Sequence, residues 1–459
     1  MKKIITSAGI VALGVAGVQA EGYLPGFSSP DQSRPWSVSA TLQGFYDDNY
    51  NTAPGNSPAY RSSWGFEALP SASLAYSAGP TDIAMRYTFG VYYYADRASS
   101  FYAGGTSPED YSHQFDLTLN HNFSTRENVV VTDSFVYSSE PQLLYQTGSA
   151  VAPTIYPFRT LFDNYRNVGA ITFNSELTKE LSLALAYQNT FNHYNQNADN
   201  VRDPVFNPSG GGSLASLLND MEHLVKLDLR WQMLPDTTGV VGYQFGLVNF
   251  TDGGYLLPDY AVAGGNVAGG GPRASSRDSY NHYIYIGADH TFNPAFTVSG
   301  RVGAEYTDSY NLGYTAWNPY ANLNLQYNFG TASFVQFGFT ESVSQTYVVA
   351  ANASSSVVYA SVNYRFTPKL TGSLLGQFQD SKFNGAMPGS PNYSGLDQQY
   401  WLAGVNLTYQ FNHYLAANLG YNFDALRSPS TLPAGVQNGF NPLWDYTRNR
   451  VYFGITATY

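Results

Sequence analysis

Apolar and polar residues alternate one by one along most of this chain, in stretches of about ten, the period of a strand with one oily and one polar face. In "QFDLTLNHNF", Phe115, Leu117, Leu119 and Phe123 share one face, and Gln114, Asp116, Thr118, Asn120 and Asn122 the other. "YANLNLQYNF" sets Ala321, Leu323, Leu325, Tyr327 and Phe329 against Tyr320, Asn322, Asn324, Gln326 and Asn328. "WLAGVNLTYQF" and "FTVSGRVGAEY" repeat the scheme, the second with Arg301 and Glu305 on its polar face. Short polar turns are predicted at "SAGPT" (77), "STREN" (124), "TKE" (178), "PDTT" (235), "NPA" (293), "GTA" (330), "TPK" (367) and "NH" (412). Longer connections fall near 48–63, 95–110, 139–163, 195–219, 251–278, 307–316, 345–355, 382–396 and 425–445. Strict alternation of short and long connections predicts an all-β, antiparallel up-and-down barrel of about 18 strands (16–18).

Composition decides what surrounds that barrel. Charged residues are only 12% of the chain, about half the usual share, while aromatics reach 16% with 39 Tyr and 28 Phe. Mean hydropathy is nevertheless −0.25, so apolar and polar surface are both plentiful. After residue 20 no apolar run is long enough for a spanning helix, so the mature chain can cross a membrane only as a closed barrel. Rings gather where two interfaces would lie. Tyr76, Phe123, Phe173, Phe292, Phe329, Phe366, Phe411 and Tyr459 flank the short turns, and Trp64, Trp317 and Trp401 flank the long loops. Residues 1–20 read as a cleaved secretory signal: basic Lys2 and Lys3, an apolar run from Ile4 to Val18, then small residues ending at Ala20. Residues 21–35 are then a short periplasmic N-terminal segment, and 36–459 the transmembrane barrel. With no cysteine there is no disulfide framework, and a net charge of −11 argues against nucleic acid as a partner.

With these features the chain resembles the porin-like β-barrels of Gram-negative outer membranes across residues 36–459. The most specific element is "VYFGITATY", whose row Val451, Phe453, Ile455, Ala457 and Tyr459 looks like the signal read by the barrel-assembly machinery. The resemblance implies outer-membrane localisation after export and contact with outer-membrane lipids. It also puts a homotrimer among the expected assemblies.

A barrel of this size encloses an aqueous channel, and its inward residues then choose what passes. The inward charged candidates are Arg86, Lys226, Arg230, Arg301, Arg365, Arg448 and Arg450, against Glu67, Asp116, Asp228, Asp289 and Glu305. They either set up opposed rows across the pore or pair across strands within the wall. Tyr92, Tyr283, Tyr285, Tyr320, Tyr359 and Tyr452 also fall on the inward parity, where rings stack on sugar faces. In the third long loop Leu143, Leu144, Tyr145, Tyr156 and Phe158 are costly to leave in water. Together with Glu140 and Arg159 they are the candidates for a constriction folded into the lumen. Of the seven histidines only His193 and His223 could meet, and with Asp220 and Glu222 nearby in sequence they could form a metal or acid–base site; Asp199 and Asp203 in "NADNVRDP" could bind a cation externally, though their spacing fits no ordered calcium loop. No nucleophile motif accompanies them, and "GGNVAGGG" precedes no helix, so no enzyme, cofactor or metal is expected. The expected function is diffusion of small hydrophilic solutes, saccharides among them. The alternative is a non-conducting barrel acting as adhesin, receptor or structural protein.

Overall fold

Hydroxyl side chains set up several of the tight turns that hold the fold together. Ser124 Oγ accepts the N–H groups of Arg126 and Glu127, both at 3.1 Å. Thr178 Oγ1 accepts those of Glu180 (3.2 Å) and Leu181 (3.0 Å), and Thr367 Oγ1 those of Lys369 (3.2 Å) and Leu370 (3.0 Å). Each turn thus satisfies its own backbone donors before the next strand begins. In "SAGPT" the same end is reached by Gly79, at φ +59°, where a side chain would be strained.

The computed structural model describes residues 34–55, 60–97, 107–138, 163–195, 217–254, 256, 261–262, 265–266, 272–330, 332–346, 348–388, 392–428 and 445–459. The strands are β1 (Trp36–Asp47), β2 (Ser63–Ala78), β3 (Thr81–Tyr94), β4 (Glu109–Asn122), β5 (Glu127–Ser138), β6 (Asn164–Glu176), β7 (Leu181–Tyr194), β8 (Asp220–Leu234) and β9 (Thr237–Phe250). A small ladder of β10 (Ala261–Val262) and β11 (Gly265–Asn266) follows, then a 3₁₀ turn, Ala274–Arg277. The wall resumes with β12 (Ser279–Asn293), β13 (Phe296–Ser309), β14 (Tyr314–Gly330), β15 (Ser333–Ser344), β16 (Ala350–Arg365), β17 (Leu370–Ala386), β18 (Asp397–Asn412), β19 (Leu415–Arg427) and β20 (Tyr446–Thr458). Without the small ladder these form one 18-stranded antiparallel sheet, closed by β1 on β20 from Ser39↔Thr458 to Asp47↔Arg450. At the foot of that seam Val38 and Tyr459 exchange backbone bonds of 3.0 and 2.8 Å, and the Arg34 guanidinium lies 4.7 Å over the Tyr459 ring. Closure pairs the first strand with the last, so neither stands as an open edge.

The outer surface is apolar between two aromatic belts. Phe123 (62% exposed) and Tyr459 (61%) stand in the lower belt, Trp64 (64%) and Trp317 (67%) in the upper. Six histidines join this outer surface. His121 and His290 accept or donate to Thr81 (2.7 Å) and Thr237 (2.8 Å), each edge-on to a belt phenylalanine. His113, His223 and His282 each pair at 2.8 Å with a tyrosine of the neighbouring strand: Tyr87, Tyr187 and Tyr243. His193, the sixth, lies 3.2 Å from Asn219 Nδ2.

Two connections expected to be long are short. β13 runs to Ser309 and β14 starts at Tyr314, joined by a turn in which Ser309 O accepts the N–H groups of Leu312 and Gly313. β16 starts at Ala350, so "AANASSS" is strand although its small residues read as loop. Packing overrides that weak propensity. Ser344, Ser355 and Ser381 form a hydroxyl chain across β15, β16 and β17 at 2.9 and 3.0 Å.

At its outer end the wall parts between β14 and β15. β14 and β15 pair only as far as Ala321↔Glu341, while β14 continues up to Tyr314 on β13 alone. Pro319 stands just above the parting and has no N–H to offer β15. Above it β15 and β16 lean onto the inner face of β13 and β14. Val343 N donates to Glu305 Oε2 (2.9 Å) and Ser354 Oγ to Asn318 Oδ1 (3.2 Å). Glu341, on the outer side of the parting, accepts from Ser356.

Candidate functional site: the inner wall

Because register partners in a ladder share a face, one inward residue fixes the rest. Gln43 and Thr41, each 3% exposed, face in, while Leu42 between them is 63% exposed. Following partners around the ring puts Arg86, Asp116, Lys226, Asp228, Arg230, Tyr283, Tyr285, Arg301, Glu305, Tyr320, Tyr359, Arg450 and Tyr452 on the inner face. Glu67, Asp289, Arg448 and Tyr92 join them. Arg365 has the same parity but sits exposed at the foot of β16, donating to Pro368 O at 3.0 Å. Glu140, Leu143, Leu144, Tyr145, Tyr156, Phe158 and Arg159 lie outside the described residues, as do Asp199 and Asp203.

Apart from Arg86 and Asp116 on β3 and β4, the inward ion pairs gather on two opposite stretches of wall. At the closing seam Arg448 donates to Asp47 Oδ2 through Nη2 (2.5 Å) and Nε (2.8 Å), and Arg450 to Glu67 Oε2 (2.5 Å). The Arg450 guanidinium also lies 4.0 Å over the Phe45 ring. Lower down, Thr41 meets Thr456 (2.8 Å), and Asn418 Nδ2 donates to Gln43 Oε1 (3.1 Å). Across the ring, Asp228 receives Lys226 (3.4 Å), Arg230 (3.5 Å) and the Tyr285 hydroxyl (2.6 Å). Arg301 donates to Asp289 (2.9 Å) and to the carbonyls of Gly300 (2.8 Å) and Ala288 (3.2 Å). Among the described residues these charges pair within the wall, one of the two arrangements open from sequence.

Glycines make this geometry possible. Asp228, Gly242 and Tyr285 are successive partners on β8, β9 and β12, and Tyr285 reaches Asp228 by lying flat across Gly242. A Cβ at Gly242 would fall 2.2 Å from that ring. Tyr452 likewise crosses Gly420 to take a bond from Asn406 Nδ2 at 3.0 Å, and Tyr359 lies over Gly338. The sequence reading passed over these glycines. Their signal is a glycine at an inward position with a tyrosine at the matching inward position one strand on. Gly242→Ala is expected to cost about 1–3 kcal/mol by overpacking, read as an earlier loss of the fast-migrating folded band in a heating series on gels.

At the outer end of the barrel an apolar cluster crosses from β9 to β16–β20. Val248, Phe250, Leu217, Leu218 and Leu256 meet Val348, Val349, Phe383, Tyr400 and Tyr446. Arg277, 1% exposed, ties three connections together. Nη1 donates to Leu217 O (2.8 Å), Nη2 to Thr346 O (2.5 Å), and the guanidinium lies 4.3 Å over Phe250. Its neighbour Asp278 accepts from Phe250 N (2.8 Å); burial pushes its carboxyl pKa up and that bond pulls it back. Asp47 and Arg277 were missed from sequence.

His193 and His223 do not meet Asp220 or Glu222. The histidines face outward, the carboxylates inward, so the wall stands between them. Among the described residues no group of three or more His, Asp or Glu could hold a metal.

Outer belts, polar inner face and ring closure define a membrane-spanning β-barrel of the outer-membrane type. No family model matches the chain, and no curated relative matches it. Solved structures similar to it include the outer membrane protein OpdK of Pseudomonas aeruginosa, with TM-score 0.42 and 10% identity, covering 92% of this chain and 99% of that one. OccAB4 of Acinetobacter baumannii is similar at TM-score 0.40 and 12% identity, covering 94% and 100%. A mutant of the ferric enterobactin receptor PfeA of Pseudomonas aeruginosa is similar at 0.41 and 10%, covering 92% and 80%. Likenesses of this size carry no statement about cargo.

Proposed function

We propose that the chain is a passive outer-membrane channel for small hydrophilic solutes, exported through a leader in residues 1–20 that is then removed. The reading rests on one observation. An 18-stranded closed wall is polar inside and apolar outside, and a ring of that many strands in general encloses more room than inward side chains fill. Saccharides are the cargo class we propose, because the half-buried Tyr320 offers a ring on the inner face, backed by the buried rings of Tyr283 and Tyr285 (each centroid 5.4 Å from that of Tyr320). The row Val451, Phe453, Ile455 and Tyr459 serves barrel assembly. The lining residues bind and orient cargo, and the chain performs no chemistry on it.

Recording across planar bilayers tests this. Stepwise conductance that falls on adding millimolar maltodextrin supports a saccharide channel; absence of steps removes the channel reading. The apolar cluster across the outer mouth favours a second reading, a receptor that binds at the mouth without conducting. Binding of a ligand to cells by a protein silent in bilayers would support it.

A further inference from the structure

The outer face of β5–β8 departs from the apolar wall around it. Reading register partners around the ring, Leu74, Met85 and Leu117 lead to Asp133, Gly169, Asn189 and His223, and apolar Leu247 follows. Leu117 lies midway along β4 between Phe123 of the lower belt and Tyr111 above, so Asp133 beside it stands at mid-depth in the membrane. Asn167 Nδ2 donates to Asp133 Oδ1 at 3.0 Å. A Cβ at Gly169 would come within 3.0 Å of that same oxygen, so the glycine leaves the place the carboxylate occupies. Asn189 Nδ2 donates to Glu222 O (3.1 Å) and lies 3.3 Å from His223 Nδ1.

A carboxylate and two carboxamides facing acyl chains are costly, because hydrocarbon supplies neither donors nor a favourable dielectric. Lipid headgroups cannot reach mid-depth, so only a membrane-embedded protein surface can meet this patch. Asn167 and Asn189 each carry donors and an acceptor, and Asp133 carries acceptors. The patch therefore complements itself: the amide of one copy can donate to the carboxylate of another. Gly169 removes the side chain that would hold two walls apart. We propose that the β5–β8 face is an interface with a second copy of this chain. The proposal does not depend on conduction.

The absence of native cysteine allows a direct test in intact outer membranes. Ile171→Cys, at the patch edge and 45% exposed, is treated with a short bismaleimide; Ile284→Cys, on a distant part of the wall and 58% exposed, is the control. The expected result is a crosslinked species of twice the chain mass from the first variant and monomer from the second. Monomer from both, or a product with a foreign protein, overturns the proposal. Asp133→Leu gives an independent reading without crosslinker. At an interface it converts unheated oligomer to monomer on gels. If instead it raises the heat resistance of the folded band and leaves oligomer unchanged, Asp133 faces lipid and the proposal fails.

Discussion

Arg448→Leu is expected to destabilise the closed barrel by about 3–5 kcal/mol, because it strands the Asp47 carboxylate inside the seam. Asp47 is fully buried and receives two bonds from Arg448 on Oδ2, while the Asn49 N–H donates to Oδ1 (3.0 Å). The seam is where that loss matters most, since no turn of the chain links β1 to β20 and only noncovalent bonds hold them together. The measurement is urea unfolding of refolded protein in detergent, with tryptophan emission as the readout. Asp47→Leu together with Arg448→Leu should recover much of the loss, because removing both charges leaves nothing stranded. A double variant as unstable as the single would show that packing, not the stranded charge, carries the effect.

Arg277→Ala is the second large effect, expected at about 3 kcal/mol against the packing of the outer mouth. It removes charged hydrogen bonds to Leu217 O and Thr346 O, each worth about 1.5–3 kcal/mol, and opens a cavity among apolar neighbours. The wall bonds are untouched, so the urea midpoint should move little. Limited proteolysis at the outer connections should instead become faster. For a conducting protein, single-channel current should also rise and become noisier. Unchanged proteolysis would mean that the apolar cluster holds the mouth without Arg277.

Strand parity was the part of this molecule most legible in the chain. Period-two alternation is a local property, so "FTVSGRVGAEY" by itself puts Arg301 and Glu305 inside. The ends of strands were harder. "AANASSS" carries no oily row because its strand leans inward, with both faces against protein rather than one against lipid. Pairing partners were out of reach for a different reason. Asp47 and Arg448 meet only because the ring closes, and nothing local to either residue announces the other. Arg277 follows the glycine-rich "GGNVAGGG", which carries no oily row, and its burial depends on two connections far away in sequence. Asp133 did have a local signature, an acid standing in the oily row Val129, Val131, Phe135 and Tyr137.

The parting of β14 from β15 bears on how the barrel can move. Below Ala321 and Glu341 every strand is bonded on both sides, so the circumference there is set by strand number and register, as in a hoop. Above that point the hoop is cut, and the free rims overlap, held by Glu305 on Val343 and Asn318 on Ser354. Sliding those rims past one another changes the width of the mouth without breaking a single ladder bond. The outer end is thus a collar of adjustable girth on a tube of fixed bore, with its clasp at Glu305.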